Sequence, residues 1–477
     1  MQKCITRTHL ASVLLLGLAI LAVGPVAAAD QVSSAGAVFV GTNHNNTHPT
    51  APPGEPGNQV IMYHRASTGS LSLVGHFDTG GQGSGPSIRF AGDGLGSAHS
   101  VELSRDHRWL FVTNAGSNNV SVFRVLQTGL ERTDLVPSGP PGSVFPNSVT
   151  QHGDLVYVLN SAGNGNITGF RLSNNGTLDP ILDSTRVING NQDDRPDTLF
   201  NPTQVSFTPD GRQLVVTIKD GPVAGLLPEF LPQFQPPNNP TFITPTGPGR
   251  VLVFDVGPDG RPGHDFTQTN LDNLGPFGFS FDLQGRLLVA LFLGGPPVPG
   301  GSPTGAAGSF RIRRDGSLNG ITVAALNFQL DTCWLENNGR YAYGANYTSG
   351  TVSSFLIGGG GALRLLDRVA GVTDELPRGS VQGQNRQGST PLDIRVVDQF
   401  VYNVLPGSGK VAGWRINDDG SLTKIKEFDI TIENDQGTRL LKTIDGDVAM
   451  CVDPGSPTGL SPCEFGPGGS PAGVAGF

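Results

Sequence analysis

The chain has 477 residues, of which 68 are glycine and 37 proline, and its formal net charge at pH 7 is -9. The acidic balance and the lack of a basic cluster argue against nucleic acid or an anionic membrane surface as a partner. Abundant glycine and proline, without long apolar-periodic helical segments, indicate many short strands joined by turns.

Residues 1–29 have the form of a secretory signal peptide. Lys3 and Arg7 precede the apolar run LASVLLLGLAILAV, and the small residues AAA come directly before Asp30. The apolar run is short for a membrane span and is followed by a cleavage pattern. We therefore expect export to the periplasm or the medium, removal of residues 1–29, and no membrane span in the mature chain.

A unit of short strands repeats along the mature sequence. Its clearest copy is SAHSVELSRDHRWLFVTNAGSNNVSVFRV, in which apolar residues alternate on either side of the tight turn SRDHR. Further copies begin at Asn147, Pro202, Pro276, Asp331 and Pro391. A seventh copy is split between the termini, because AVFVGTN and QVIMYHR near the start lack the inner strand that SPAGVAGF, residues 470–477, can supply.

The repeats predict an all-β fold, a seven-bladed β-propeller built from four-stranded antiparallel blades. Pairing the C-terminal strand inside the N-terminal blade closes the ring and leaves no raw sheet edge. The main rival, an open β-solenoid, does not predict a terminal half-repeat that complements the other end. Blades of one ring have no separate cores, so residues 30–477 are predicted to form a single domain. We expect a monomer.

The turns separate the two faces of the predicted ring. Connections of the SRDHR and DGSL type are tight and should lie together on one face, so all long connections emerge on the other. Long loops gathered on one rim of a rigid scaffold often carry binding and chemistry. The cup that these loops form over the central channel is therefore the expected site.

His99 is the most informative single residue of the expected site. It comes just before an inner strand, at the predicted channel mouth, where other repeats have residues such as Asn147 or Asp331. An imidazole there could act as a general acid or base near neutral pH, or could close a loop through a hydrogen bond. Position alone leaves both roles open.

Four further residues are candidate binding groups on this face, namely His44, Asp331, Asp393 and Arg195. His44 and His48 could join His99 around a metal ion, but no tight ligand spacing supports such a site. The sequence therefore predicts no metal and no other cofactor.

The cysteines of the mature chain have different expected roles. Cys451 and Cys463 flank a loop rich in proline and glycine, and a disulfide between them is expected in an oxidising compartment. Cys333 is assigned to the inner-strand apolar position that Val101 and Ile394 hold in other repeats. It is predicted to be a buried free thiol.

The repeat motifs resemble those of a known family. Turns of the PDGR type, strands ending LFVTN and VYVLN, the run VSVFRV and the DGSL turn are similar to those of secreted bacterial lactonase-family propellers. That family includes 6-phosphogluconolactonase-like proteins and a carboxymuconate-lactonizing enzyme, and the motifs are also similar to YVTN-type propellers. The resemblance implies the propeller fold and, for some members, activity on lactones.

Lactone-active members carry a histidine before the second inner strand, which His99 matches in AHSVELS. They also carry an Arg-His pair before the third inner strand and a glutamate after its second strand, where this chain has FPNSVTQHGD and VYVLNSAG. Neither the arginine nor the glutamate is in place.

Two functions follow as hypotheses. The first is an exported lactonase-like protein that hydrolyses or forms a lactone of a sugar acid or a muconate-type acid in the long-loop cup. The second is a non-enzymatic propeller that recognises a carbohydrate, a peptide or a surface partner. Convergence of His99 with an arginine and a carboxylate would favour the first hypothesis.

Overall fold

The computed structural model describes most of the chain after residue 34. The described residues are 35–48, 51, 54–85, 93–190, 192, 196, 201–219, 248–272, 274–292, 304–347, 349–373, 389–430 and 471–477, with the backbone alone of 439–440, 450–452, 460–462 and 464–465. The predicted signal peptide lies outside these residues. In the described part of the chain, no helix is both long and apolar enough to cross a membrane.

Seven antiparallel sheets form the blades, and each runs from an inner strand at the channel to an outer strand at the rim. Written from the inner strand outwards, blade 1 consists of β33 (Val474–Gly476), β1 (Gly36–Gly41), β2 (Gln59–Arg65) and β3 (Leu71–Asp78), and blade 2 consists of β4 (Val101–Leu103), β5 (Trp109–Asn114), β6 (Asn119–Leu126) and β7 (Gly129–Pro137). Blade 3 consists of β8 (Pro146–His152), β9 (Leu155–Asn160), β10 (Asn166–Leu172) and the outer pieces β11 (Leu178–Pro180) and β12 (Arg186–Val187). Blade 4 consists of β13 (Pro202–Phe207), β14 (Gln213–Ile218), β15 (Gly249–Asp255) and β16 (Thr267–Leu271).

The remaining blades repeat the same order. Blade 5 consists of β17 (Pro276–Phe281), β18 (Leu287–Leu291), β19 (Ala306–Ile312) and β20 (Leu318–Leu326). Blade 6 consists of β21 (Thr332–Asn337), β22 (Tyr341–Asn346), β23 (Thr351–Ile357) and β24 (Leu363–Val372). Blade 7 consists of β25 (Ile394–Val397), β26 (Phe400–Leu405), β27 (Lys410–Ile416) and β28 (Leu422–Asp429). Two further two-stranded sheets pair β29 (Arg439–Leu440) with β32 (Glu464–Phe465) and β30 (Met450–Val452) with β31 (Leu460–Pro462). The seven-bladed prediction is confirmed.

The C-terminal strand closes the ring as the split repeat predicts. β33 pairs antiparallel with β1, and Phe39 lies opposite Ala475 in the register. Reciprocal backbone hydrogen bonds of 3.0 Å between Ala37 and Phe477 extend the pairing to the last residue. Each inner strand also contacts the inner strands of both neighbouring blades around the whole ring. Residues 36–41 and 474–476 therefore belong to one sheet, although they lie at opposite ends of the described chain.

Strand alternation explains why the blades stack. In β5, Leu110 and Val112 face blade 1 and pack with Phe39, whereas Trp109 and Phe111 face blade 3. A strand with period two thus supplies both of its faces to apolar interfaces, which is why β5 is buried along its whole length. The apolar interfaces between blades form the core of the propeller.

Tyrosines fasten neighbouring blades at the tight turns. The hydroxyl of Tyr343 donates to the carbonyl of Gly420 at 3.1 Å, and that of Tyr402 donates to Gly69 at 2.8 Å. In both cases the tyrosine is the third residue of a second strand, and the glycine lies in the turn between the third and fourth strands of the next blade. Burial raises the pKa of both tyrosine hydroxyls, which favours their role as hydrogen-bond donors.

Candidate functional site

Three charged side chains lie at one level of the channel. Glu102 of β4, Glu336 of β21 and Arg395 of β25 each pair with the third residue of the adjoining second strand. They come from blades 2, 6 and 7. Blades 6 and 7 are neighbours, and blade 1, whose inner strand is the closing strand β33, lies between blades 7 and 2. Ring closure therefore brings together residues that are distant in the sequence.

Arg395 joins these strands through its guanidinium group. Its Nη2 donates to Glu102, its Nη1 donates to Glu336 Oε1 at 3.0 Å, and its Nε donates to the carbonyl of Val474 at 2.8 Å. Charge-assisted bonds of this kind are about twice as strong as neutral ones. The closing strand is thus part of the same network as the two carboxylates.

His99 completes the network from the start of the second inner strand. Its ring Nε2 lies 3.2 Å from Glu336 Oε1 and 3.1 Å from Arg395 Nη1. Its Nδ1 lies 3.3 Å from Glu102 Oε2, within ion-pair distance but outside hydrogen-bond geometry. The predicted candidate His99 therefore converges with one arginine and two carboxylates.

The backbone at His99 is held in an uncommon conformation. Its φ is +61°, in the left-handed region that few residues other than glycine adopt. The His99 amide donates to Asp393 Oδ2 at 3.2 Å, and its carbonyl accepts from Val149 at 2.9 Å. Asp393, a second predicted residue, thus fixes the turn that directs the imidazole. We call His99, Glu102, Glu336, Asp393 and Arg395 the His99 network.

Burial sets the protonation of this network. Burial and then the charge of Arg395 lower the pKa of His99 to about 4, although Glu102 and Asp393 oppose the shift. The imidazole is therefore neutral at pH 7. Burial raises the pKa of Glu336 and of Asp393, against the lowering effect of Arg395. Burial disfavours the charge of Arg395, but the surrounding carboxylates outweigh it and raise the arginine pKa.

The network lies near the end of the channel that carries the tight turns. Inner strands enter the channel from the long connections and leave it through a tight turn, and Glu336 comes one residue before the end of β21. Trp334, two residues earlier on the same strand, donates its Nε1 to the carbonyl of Ser97 at 2.9 Å across the channel. The expected cup on the long-loop face is thus separated from the His99 ring by a buried indole.

Apolar side chains close the long-loop end of the channel. The ring of Phe277 lies 4.8 Å from that of Trp334, and both are buried. They belong to one apolar cluster that also holds Ala98, Phe145, Leu392 and Ala472 from other blades. The His99 network is therefore isolated from the long-loop side in the described part of the chain.

A second polar group lies on the far side of this apolar layer. Lys219 is buried with its Nζ 3.9 Å from the centre of the Phe277 ring. Burial lowers the pKa of Lys219, whereas the nearby Cys333, Asp93 and Asp331 oppose that shift. The predicted residue Asp331 therefore lies near Lys219, and its charge favours the protonated amine.

The register corrects the position of Cys333. Leu335 pairs with Gly344 in the way that Val101 pairs with Val112, so Leu335 occupies the apolar position assigned to Cys333. The cause is the turn between β21 and β22, in which two residues separate the paired Asn338 and Tyr341, whereas four separate Ser104 and Trp109 in blade 2. Cys333 is nevertheless a buried free thiol, as predicted.

The other predicted residues have separate outcomes. His44 is buried on the connection between β1 and β2, where its Nε2 lies 3.7 Å from Glu55 Oε1. Among the described residues, no group of three or more His, Cys, Asp or Glu side chains is arranged so that it could hold a metal ion. Arg195, Cys463 and the side chain of Cys451 lie outside the described residues, so the disulfide stays a prediction.

Sequence reasoning missed Glu102, Glu336 and Arg395. Each is a charged residue that directly follows a buried apolar residue of an inner strand, in the segments VELS, WLEN and DIRV. A charged residue at the same position of several repeats is the signal that could have found them, because buried charges persist only when they are paired. Which of them are neighbours depends on the closed ring.

Comparison with known proteins supports the fold. The sequence matches no protein-family model. An uncharacterised Staphylococcus aureus protein is 30% identical over 97 residues, which are 20% of this chain and 28% of that relative's length. Two solved structures, from Bacteroides uniformis and Bacteroides fragilis, are each described as a putative 6-phosphogluconolactonase.

The first structure has a TM-score of 0.54 and 15% identity, covering 83% of this chain and 97% of its own. The second has a TM-score of 0.55 and 14% identity, covering 84% and 97%. Identities this low establish common architecture alone. The chain, a seven-bladed β-propeller, therefore shares its fold with these two structures.

Proposed function

We propose that this chain is an exported lactonase-like enzyme that hydrolyses or forms a lactone of a sugar acid or a muconate-type acid. The observation that carries the proposal is the convergence of His99, Arg395 and the carboxylates of Glu102 and Glu336. Lactone hydrolysis needs a base for water and a positive group for the carbonyl oxygen. The neutral imidazole of His99 can serve as the base, and the guanidinium of Arg395, 3.1 Å from it, is the positive group.

The residues have definite roles in the proposed reaction. His99 Nε2 accepts a proton from the attacking water, which displaces the Arg395 Nη1–H that bonds to this nitrogen, and the new C–O bond forms as the carbonyl oxygen takes up negative charge beside Arg395. The ring C–O bond then breaks, and the leaving oxygen receives the proton from His99. Glu102, 3.3 Å from Nδ1, stabilises the transient imidazolium. Water and lactone together give the open hydroxy acid.

A different observation favours a non-enzymatic alternative. Three nitrogens of the Arg395 guanidinium already donate to Glu102, Glu336 and the Val474 carbonyl. If Arg395 has only this structural role, the network serves to link blades 2, 6 and 7 to the closing strand. The propeller would then recognise a carbohydrate, peptide or surface partner elsewhere.

Hydrolysis of sugar and muconate-type lactones by the mature protein tests the proposal. We expect His99→Gln to lower kcat/KM by about 100-fold or more, because a positioned general base contributes on this order. His264→Gln, at an exposed histidine, is the matched control and should keep full activity. Equal activity in both variants, or no turnover by folded wild-type protein, would shift the weight to the non-enzymatic alternative.

A further inference from the structure

The His99 network is accessible only in part, and from one direction. The exposed fractions of the side chains are 21% for Glu102, 14% for Arg395 and 12% for Glu336. Trp334 and Phe277 on the long-loop side are 2% and 0% exposed. A ligand would therefore reach the network through the tight-turn mouth of the channel.

Charge at this level of the channel does not favour an anion. Arg395 is the one cation of the His99 network, and Glu102 and Glu336 both accept its hydrogen bonds. With His99 neutral and both glutamates ionised, these groups carry a net negative charge. Protonation of Glu336 and Asp393 would make the net charge of the network zero, but it would not make the network positive.

The described tight turns around the mouth do not supply the missing positive charge. Acidic and basic side chains balance there, with Asp106, Asp154, Asp210, Asp282 and Asp398 against Arg105, Arg108, Arg212, Arg286 and Arg340. Several of them form ion pairs with one another, such as Arg286 with Asp282 at 2.6 Å. An approaching phosphate or carboxylate therefore meets no net attraction at the rim.

Neutral polar groups complete the same level of the channel. Thr150 of β8 and Ser206 of β13 also pair with the third residue of their second strands, as Glu102 does. Hydroxyls and carboxylates at one level provide acceptors for the hydroxyl groups of a sugar ring. The chemistry of the mouth suits an uncharged polyol more than an acid.

We propose that the site selects an uncharged sugar lactone over lactones that carry a phosphate or a free carboxylate. The inference rests on the proposed function and narrows its substrate class. An anionic substituent beside Glu102 and Glu336 would be repelled by like charges in a partly desolvated mouth. This repulsion should strongly weaken the binding of lactones that carry a phosphate or a carboxylate.

Parallel kinetics on glucono-δ-lactone and its 6-phosphate test the substrate class. We expect kcat/KM for the uncharged lactone to exceed that for the phosphate by at least about tenfold at low ionic strength, because like-charge contacts oppose binding of the phosphate. Salt should narrow the difference, since it screens repulsion. Muconolactone, which carries a carboxylate, should be disfavoured in the same way.

A charge variant separates electrostatic selection from fit. Glu102→Gln should reduce the ratio of the two kcat/KM values, whatever its effect on absolute rates. Glu131→Gln, at an exposed carboxylate paired with Arg124 on the outer strands, should leave the ratio unchanged. Equal or faster turnover of the phosphate, or an unchanged ratio in Glu102→Gln, would overturn the inference while the proposed function stands. Absence of turnover on every lactone would instead refute the proposed function.

Discussion

Replacement of Arg395 by methionine should destabilise the propeller strongly. The change keeps an unbranched side chain as long as the arginine stem up to Nε, but it leaves Glu102 and Glu336 without their shared cation. Loss of one partner from a buried ion pair costs about 3–5 kcal/mol. Since these carboxylates are 21% and 12% exposed, a loss of about 2–4 kcal/mol in the free energy of unfolding is expected.

The pH dependence of this loss has a definite sign. Without Arg395, which lowers it, the folded-state pKa of Glu336 should rise further above the unfolded value than it already lies through burial. A carboxyl group whose pKa is raised in the folded state binds more protons there, so the variant gains stability relative to wild type as pH falls. The deficit should therefore shrink between pH 7 and about pH 4.5.

Urea unfolding at several pH values measures both effects. Arg124→Met, which removes an exposed ion pair with Glu131, is the matched control and should change stability by no more than about 0.5 kcal/mol. Adding Glu102→Gln and Glu336→Gln to Arg395→Met should recover part of the loss. An Arg395→Met protein as stable as the control variant at pH 7 would refute the role given to this network.

Three more outcomes are expected. The pKa of His99 is lowered to about 4 from an unfolded value near 6.5, so the stability that the neutral imidazole contributes is lost as pH falls from 6.5 to 4. On acidification to pH 4, the free energy of unfolding of His99→Gln should therefore fall by up to about 3 kcal/mol less than that of wild type, as urea unfolding would measure. Val474→Asp places a charge at a fully buried position of the closing strand and should cost more than about 3 kcal/mol or prevent folding, which thermal unfolding would show; a wild-type melting temperature would contradict strand closure. Mass spectrometry of the exported protein should find Asp30 as the N-terminus and, without reduction, a Cys451–Cys463 cross-link; an intact leader or free thiols there would contradict these expectations.

Local patterns in the sequence determined the architecture. Alternation of apolar residues in segments such as WLFVTN indicates strands buried on both faces, and tight turns at regular intervals indicate meanders. The split repeat at the termini predicted that residues 470–477 pair with the first blade. These features depend on neighbouring residues, so they can be read before the chain is folded.

The site depended on contacts that no local pattern contains. His99 is 237 residues from Glu336 and 296 from Arg395, and the ring alone makes them neighbours. The shorter turn between β21 and β22 likewise puts Leu335, and not Cys333, at the apolar position that Val101 holds in blade 2. Strand period and turn chemistry are set by adjacent residues, whereas the partners of a buried charge are set by which blades meet when the C-terminal strand closes the ring.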